Sequence, residues 1–168
     1  MIISRALALL GGLFFFILNE PAPCLAASDR TVVGKLEITQ AWARATPPSA
    51  KNGVAFMVIS NHGMSADKLT ALSSKASGKT ELHNHINENN IMRMRRIKHI
   101  HIPRHGQAIL KPGSYHVMFI GLKTPFKEGD TVMVKLRFEK AGEILLHMPI
   151  KKGGTMAKGD VKIKHKHN

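Results

Sequence analysis

The sequence predicts an all-β domain, built as a sandwich or barrel. Three observations carry this. Short runs rich in strand formers recur at near-regular spacing. Glycine-containing turn signals ("RHG", "KPGS", "KEGD", "KAGE") separate the later runs. And no convincing 3.6-residue apolar period is sustained over the length of a helix.

The elements follow in chain order. "LEITQAWARA" (Leu36 to Ala45) alternates partly and is stopped by "TPPS". "GVAFMVISN" (Gly53 to Asn61) is apolar and ends at the turn signal "NHG". The segment Ala66 to Leu72 is the one place where the spacing suggests a short helical turn. "TELHNHI" (Thr80 to Ile86) and "IMRMRRI" (Ile91 to Ile97) flank the turn-like "NENN". Further short strands are expected at "IHIP", "QAIL", "YHVMFIGL", "TVMVKLRFEK" and "EILLHMPI". No internal repeat is present.

Residues 1–27 read as a cleaved secretory signal peptide rather than as part of this domain. Arg5 supplies the basic start, and Ala6 to Leu18 is apolar. Pro21 and Pro23 end any helix, and "CLAAS" offers small residues for a cut near Ala26 or Ala27. The apolar run falls short of the roughly 20 residues of a spanning helix. Cys24 follows Pro21, Ala22 and Pro23, which is a poor lipidation signal. Cleavage removes the only cysteine of the 168-residue chain, leaving no disulfide, thiolate ligand or thiol nucleophile. The expected division is a signal over 1–27, a folded domain over 28–151 and a flexible, basic, His-containing tail over 152–168.

The chain carries a formal net charge of +14. Export argues against nucleic acid as the partner, as does the scarcity of aromatics, with one Trp and one Tyr, for base stacking. An anionic membrane surface or an acidic partner protein matches such charge better, and a solvated basic surface is the plain alternative.

Histidine and methionine are the unusual feature. All ten His, and every Met but Met1, lie beyond residue 27. Three pairs sit at i, i+2, which places each pair on one face of a strand: His83 with His85, Met92 with Met94, and His116 with Met118. A single strand Met is usually core filling, and a single His is usually a surface group. Three such pairs suggest a metal. Soft thioether sulfur selects Cu(I), whereas zinc sites use Cys, His and carboxylates. Neutral donors suit a monovalent ion because little charge is buried. A blue-copper centre is excluded because it requires a Cys ligand.

At this point the residues resemble a known family. His83, ten residues, Met94, twenty-one residues, His116, one residue, Met118 is the motif of the PCu(A)C periplasmic copper chaperones. "AWARATPPSAKNG", "MRMR", "LKPGSYHVMFIGL" and "FKEGDTVMVKLRFEKAG" match its surroundings, and the resemblance covers about Val33 to Lys151. The resemblance implies a cupredoxin-like Greek-key β-barrel or sandwich. It implies one Cu(I) held by His83, Met94, His116 and Met118 near the surface. It also implies copper delivery toward the binuclear centre of cytochrome c oxidase subunit II, alongside a Sco-type thioredoxin-like partner. The location implied is the periplasm.

Asn90 stands where family members often carry Gly, and Asn tolerates the left-handed conformation. His85 shares a face with His83 and offers a fifth donor, mainly for Cu(II). Met92 is expected to pack, and His99, His101 and His105 to lie on the surface. His165 and His167, with Met156, offer a labile Cu(II) site in the tail. Arg93, Arg95 and Arg96 suggest positive charge beside the metal. Two other readings stand: a general periplasmic copper buffer with the same site, and a secreted β interaction module with incidental His and Met. An enzyme is the least favoured reading, since no nucleophile motif or clear carboxylate pair is present.

Overall fold

The computed structural model describes residues 30–89 and 91–153. Residues 1–29, Asn90 and 154–168 lie outside the described residues. The expected signal segment with Cys24, and the tail donors Met156, His165 and His167, therefore fall outside them too.

The described residues form eleven strands and no helix. In chain order these are β1 (Thr31–Val33), β2 (Leu36–Arg44), β3 (Asn52–Asn61), β4 (Asp67–Ser73), β5 (Ser77–Glu88), β6 (Ile91–Arg96), β7 (Ile100–Ile102), β8 (Gln107–Leu110), β9 (His116–Leu122), β10 (Thr131–Phe138) and β11 (Glu143–Lys151). They make one mixed sheet in the order β6-β5-β9-β3-β2-β11-β10-β4-β7. β1 adds to β2, and β8 adds to β3. Every pairing is antiparallel except the short β2–β11 contact at Ala43–Ile150 and Arg44–Lys151. That contact joins the two layers, and the core lies between them.

Alternation explains the burial. In β10, Val132, Val134, Leu136 and Phe138 are buried while the residues between them are exposed. They share one core with Ile38, Met57, Ile59, Val117 and Phe119 of the opposite layer. Gly53, paired with Phe119, sits at a close approach: a Cβ there would come within 2.9 Å of the Phe126 ring. Phe126 in turn packs edge-on against Phe119 at 5.1 Å.

One expectation fails here, and one strand is additional. Ala66 to Leu72 is not a helical turn; Asp67–Ser73 is strand β4, paired with β10 and β7. Asp67 is held by its own polar contacts: its carboxylate accepts backbone N–H bonds from Lys68, Lys140 and Ala141. The additional strand is β1, which the sequence does not mark because it is only three residues long.

A β-bulge in β2 shapes the outer face of the sheet. The register to β3 shifts between Thr39 and Trp42, and Gln40 takes φ 51. Before the bulge, Leu36 and Ile38 face the core; after it, Ala41 and Ala43 do. The one-residue insertion turns Trp42 to the outer face, where it pairs with Phe56 at 5.0 Å between ring centroids. The Arg44 guanidinium lies 5.6 Å from the Phe56 ring centroid.

Candidate metal centre

Cross-strand register brings all four predicted donors to one face. His83 of β5 stands directly opposite His116 of β9, and Glu81 stands opposite Met118. On the other side of β5, His85 stands opposite Met94 of β6. Directly paired residues in a sheet point to the same side. The outer face thus carries Glu81, His83, His85, Met94, His116 and Met118 together. Val117 and Phe119 alternate inward and are fully buried in the core, so they anchor the strand that presents His116 and Met118.

Exposure is graded across this face. His116 is buried, His83, His85 and Met118 are half-buried, and Met94 is 41% exposed. A floor of aromatic and apolar residues adjoins it. Val54 pairs with Met118, and Phe56, the next outer-face residue of β3, carries Trp42 beyond it. One end of the donor set is therefore packed, and the β6 end is open to solvent.

The imidazoles of His116 and His83 each have a partner on one nitrogen. The His116 Nδ1–H donates to the Ser114 carbonyl at 2.9 Å. That leaves Nε2 as a lone pair. The His83 Nε2–H donates to Glu81 Oε2 at 3.0 Å, leaving Nδ1 as the lone pair. A carboxylate behind a histidine, orienting it and raising its basicity, is the usual support of a metal-binding imidazole. His83 Nδ1, His85 Nδ1 and His116 Nε2 are all buried without a hydrogen-bond partner among the described residues. Buried polar atoms normally find partners. Three orphaned ring nitrogens on one face, beside two thioethers, fit a soft cation as the missing partner. No group of three His, Cys, Asp or Glu already stands at ligand distances among the described residues.

Glu81 is a supporting residue that the donor spacing does not flag, although "ELHNH" places it two residues before His83 on the same face. Its hydrogen bond with His83 holds its carboxyl below the ordinary value, helped by the Arg96 guanidinium at 3.6 Å. Replacing it with glutamine (Glu81→Gln) should weaken Cu(I) binding by about 10–100-fold, the usual effect of removing such a supporting group. A competition titration against a chromogenic Cu(I) chelator checks this.

Burial lowers the pKa of His116, with its two neighbouring histidines adding to the effect. In the metal-free protein the unfolded chain therefore takes up this proton first as pH falls. The neutral ring's contribution to stability is present above the ordinary His value of about 6.5 and is lost as pH drops through the lower folded value. Denaturant melts of the metal-free protein at pH values of about 7.5 and 5.5, on either side of that ordinary value, should show lower stability at the acid one. The gap should narrow in His116→Gln.

Other placements differ from expectation. Met92 does not pack; it is 58% exposed on β6. β6 is an edge strand with no layer over it, so its side chains have nothing to pack against. Arg93 and Arg95 do not stand beside Met94. They alternate to the other face of the hairpin and pair with Glu88. Only Arg96 shares the donor face, and it is paired with Glu81. The left-handed turn residue that the structure describes is Asn89, with φ 54; Asn90 lies outside the described residues. His99, His101 and His105 are exposed. His105 is also away from the donor face, its Nε2 lying 3.1 Å from the Met64 sulfur.

Known proteins bear on this arrangement. The family model described as "Putative lipoprotein LpqE-like" matches residues 36–150. A putative lipoprotein of Leifsonia xyli subsp. xyli is 29% identical over 132 residues, covering 77% of each chain. The apo PCuAC domain from PmoF1 has a TM-score of 0.64 at 27% identity, covering 74% of this chain and 99% of that one. The solution structure of Cu(I)-DR1885 from Deinococcus radiodurans has a TM-score of 0.57 at 26% identity, covering 79% and 87%. The copper-bound PCuAC domain from PmoF2, with a TM-score of 0.64 at 22% identity and coverage of 74% and 98%, shares the fold. The expected resemblance to PCu(A)C domains thus holds in three dimensions, as does the cupredoxin-like all-β fold. The matched span runs from β2 into β11 and includes His83, Met94, His116 and Met118, and the chain belongs to the LpqE-like family.

Proposed function

We propose that the protein is a Cu(I)-binding metallochaperone of the cell envelope, exported to the periplasm, and not an enzyme. The observation that carries this is the meeting of His83, Met94, His116 and Met118 on one outer face through the β6-β5-β9 register. The solved structures it resembles support the reading, one of them a Cu(I)-loaded form. The lipoprotein names of its family and its relative support an envelope location. Copper is the cargo. His116 and His83 hold the ion from the packed side, while Met94 offers a weak thioether at the open edge. An incoming thiolate would displace the thioethers first and the imidazoles last.

The delivery we propose is to the binuclear copper centre of cytochrome c oxidase subunit II, with a Sco-type thioredoxin-like partner supplying the thiol chemistry that the chain lacks once the segment 1–27 with Cys24 is removed. The net charge of +14 suits an acidic acceptor or an anionic membrane surface; a nucleic-acid partner is disfavoured by export and by the scarcity of aromatics for base stacking. A deletion strain tests the role. A chaperone loses oxidase activity when copper is scarce. Normal oxidase activity with reduced tolerance to high copper would instead mark a buffering protein.

A further inference from the structure

The four-donor set leaves one buried imidazole nitrogen unused. His85 lies two residues from His83 on the same face, and its ring centroid is 5.0 Å from that of His116. His83, a donor of the proposed set, is farther from His116, at 5.9 Å. The Nδ1 of His85 is buried and without a hydrogen-bond partner among the described residues, as are His83 Nδ1 and His116 Nε2. Two imidazoles bound to one ion at about 2.0 Å per bond have ring centroids about 4.5 Å apart at the right angles of a tetragonal site and about 5 Å apart at tetrahedral angles. The His85–His116 pair, at 5.0 Å, is within about 0.5 Å of the tetragonal spacing. The three rings do not yet stand together at ligand distances among the described residues, so the His83 ring, the farther of the two from His116, must move in for all three to share one ion.

We propose that this face binds copper in two ways: Cu(I) on His83, Met94, His116 and Met118, and Cu(II) on the imidazoles of His83, His85 and His116. The inference rests on the reading of this face as a copper site and assigns His85 as the residue that extends it to the oxidised ion. Cu(II) favours nitrogen and oxygen donors in tetragonal geometry, whereas thioethers favour Cu(I). Glu81, hydrogen-bonded to His83 and directly opposite Met118, places a carboxylate on the same face, which offsets part of the second positive charge. His83 and His116 serve both ions, so the two cannot be held at once. Each ion is bound in the state in which it arrives, and no electron transfer is involved.

The test is Cu(II) binding by the chain carrying His165→Ala and His167→Ala, so that the tail histidines do not compete. One equivalent of copper(II) sulfate is titrated against glycine, and the sample is read by electron paramagnetic resonance with nitrogen hyperfine detection. Three imidazole nitrogens are expected. On this background, His85→Ala should remove one nitrogen and weaken Cu(II) by at least about tenfold, while changing Cu(I) affinity less than about threefold. Met118→Ala should do the reverse. His85→Met is a second variant that keeps the strand filled; it should retain Cu(I) and lose the three-nitrogen Cu(II) signal. An unchanged Cu(II) spectrum and affinity in both His85 variants would overturn the proposal, as would equal weakening of both ions. Failure of the parent chain to bind Cu(I), with the three-nitrogen Cu(II) signal intact, would instead count against the chaperone reading alone.

Discussion

Replacing His116 with alanine should lower Cu(I) affinity by at least about a hundredfold, or ~2.7 kcal/mol. The reason is the degree to which this ring is prepared. It is 2% exposed, its Nδ1 is committed to the Ser114 carbonyl, and its Nε2 is left as a buried lone pair. Little rotamer freedom remains to be lost on binding, so most of the bond strength reaches the affinity. Met118→Ala should cost less, about tenfold, because a neutral thioether is a weaker donor. Competition titration with a chromogenic Cu(I) chelator measures both. Equal and small effects in the two variants would remove β9 from the site.

The second large effect is on stability. Phe119→Ala should destabilise the protein by about 3–5 kcal/mol, the usual range for a fully buried aromatic. Phe119 is wholly buried, packs edge-on against Phe126, and lies on the inner face of the strand whose outer face presents His116 and Met118. The same substitution should therefore weaken copper binding without touching a donor, since β9 loses the anchor that fixes its outer side chains. Denaturant midpoints, at unchanged denaturant dependence, report the first effect. Copper titration of the folded fraction reports the second.

Much of this is legible in the sequence because strand chemistry repeats with a period of two. The alternation in "TVMVKLRF" and "HVMFIGL" gives burial directly, and the His and Met pairs at i, i+2 place the donors on faces. The same period separates Arg93 and Arg95 from Met94, so adjacency in sequence is not adjacency in space. β4 is ambiguous in sequence because Leu69 and Leu72 are three apart, and only pairing with β10 and β7 shows that the segment is extended. The bulge at Gln40 has no sequence signal, because glutamine does not favour positive φ; tertiary packing imposes it. It alone decides that Trp42 joins the donor face rather than the core. Glu81 is within reach of the alternation rule, but its bond to His83 depends on side-chain geometry that alternation does not give. Met92 reads as an inside residue because strand methionines usually are, and an edge strand without a covering layer reverses that.

Two imidazoles and two thioethers on this face should hold one Cu(I). X-ray absorption of the protein loaded anaerobically with one equivalent of Cu(I) reads those donors without an intermediate. The expected first shell contains both nitrogen and sulfur, with the sulfur contribution reduced in Met94→Ala and in Met118→Ala. A shell of nitrogen and oxygen alone, or sulfur scattering unchanged in both variants, would contradict the assignment.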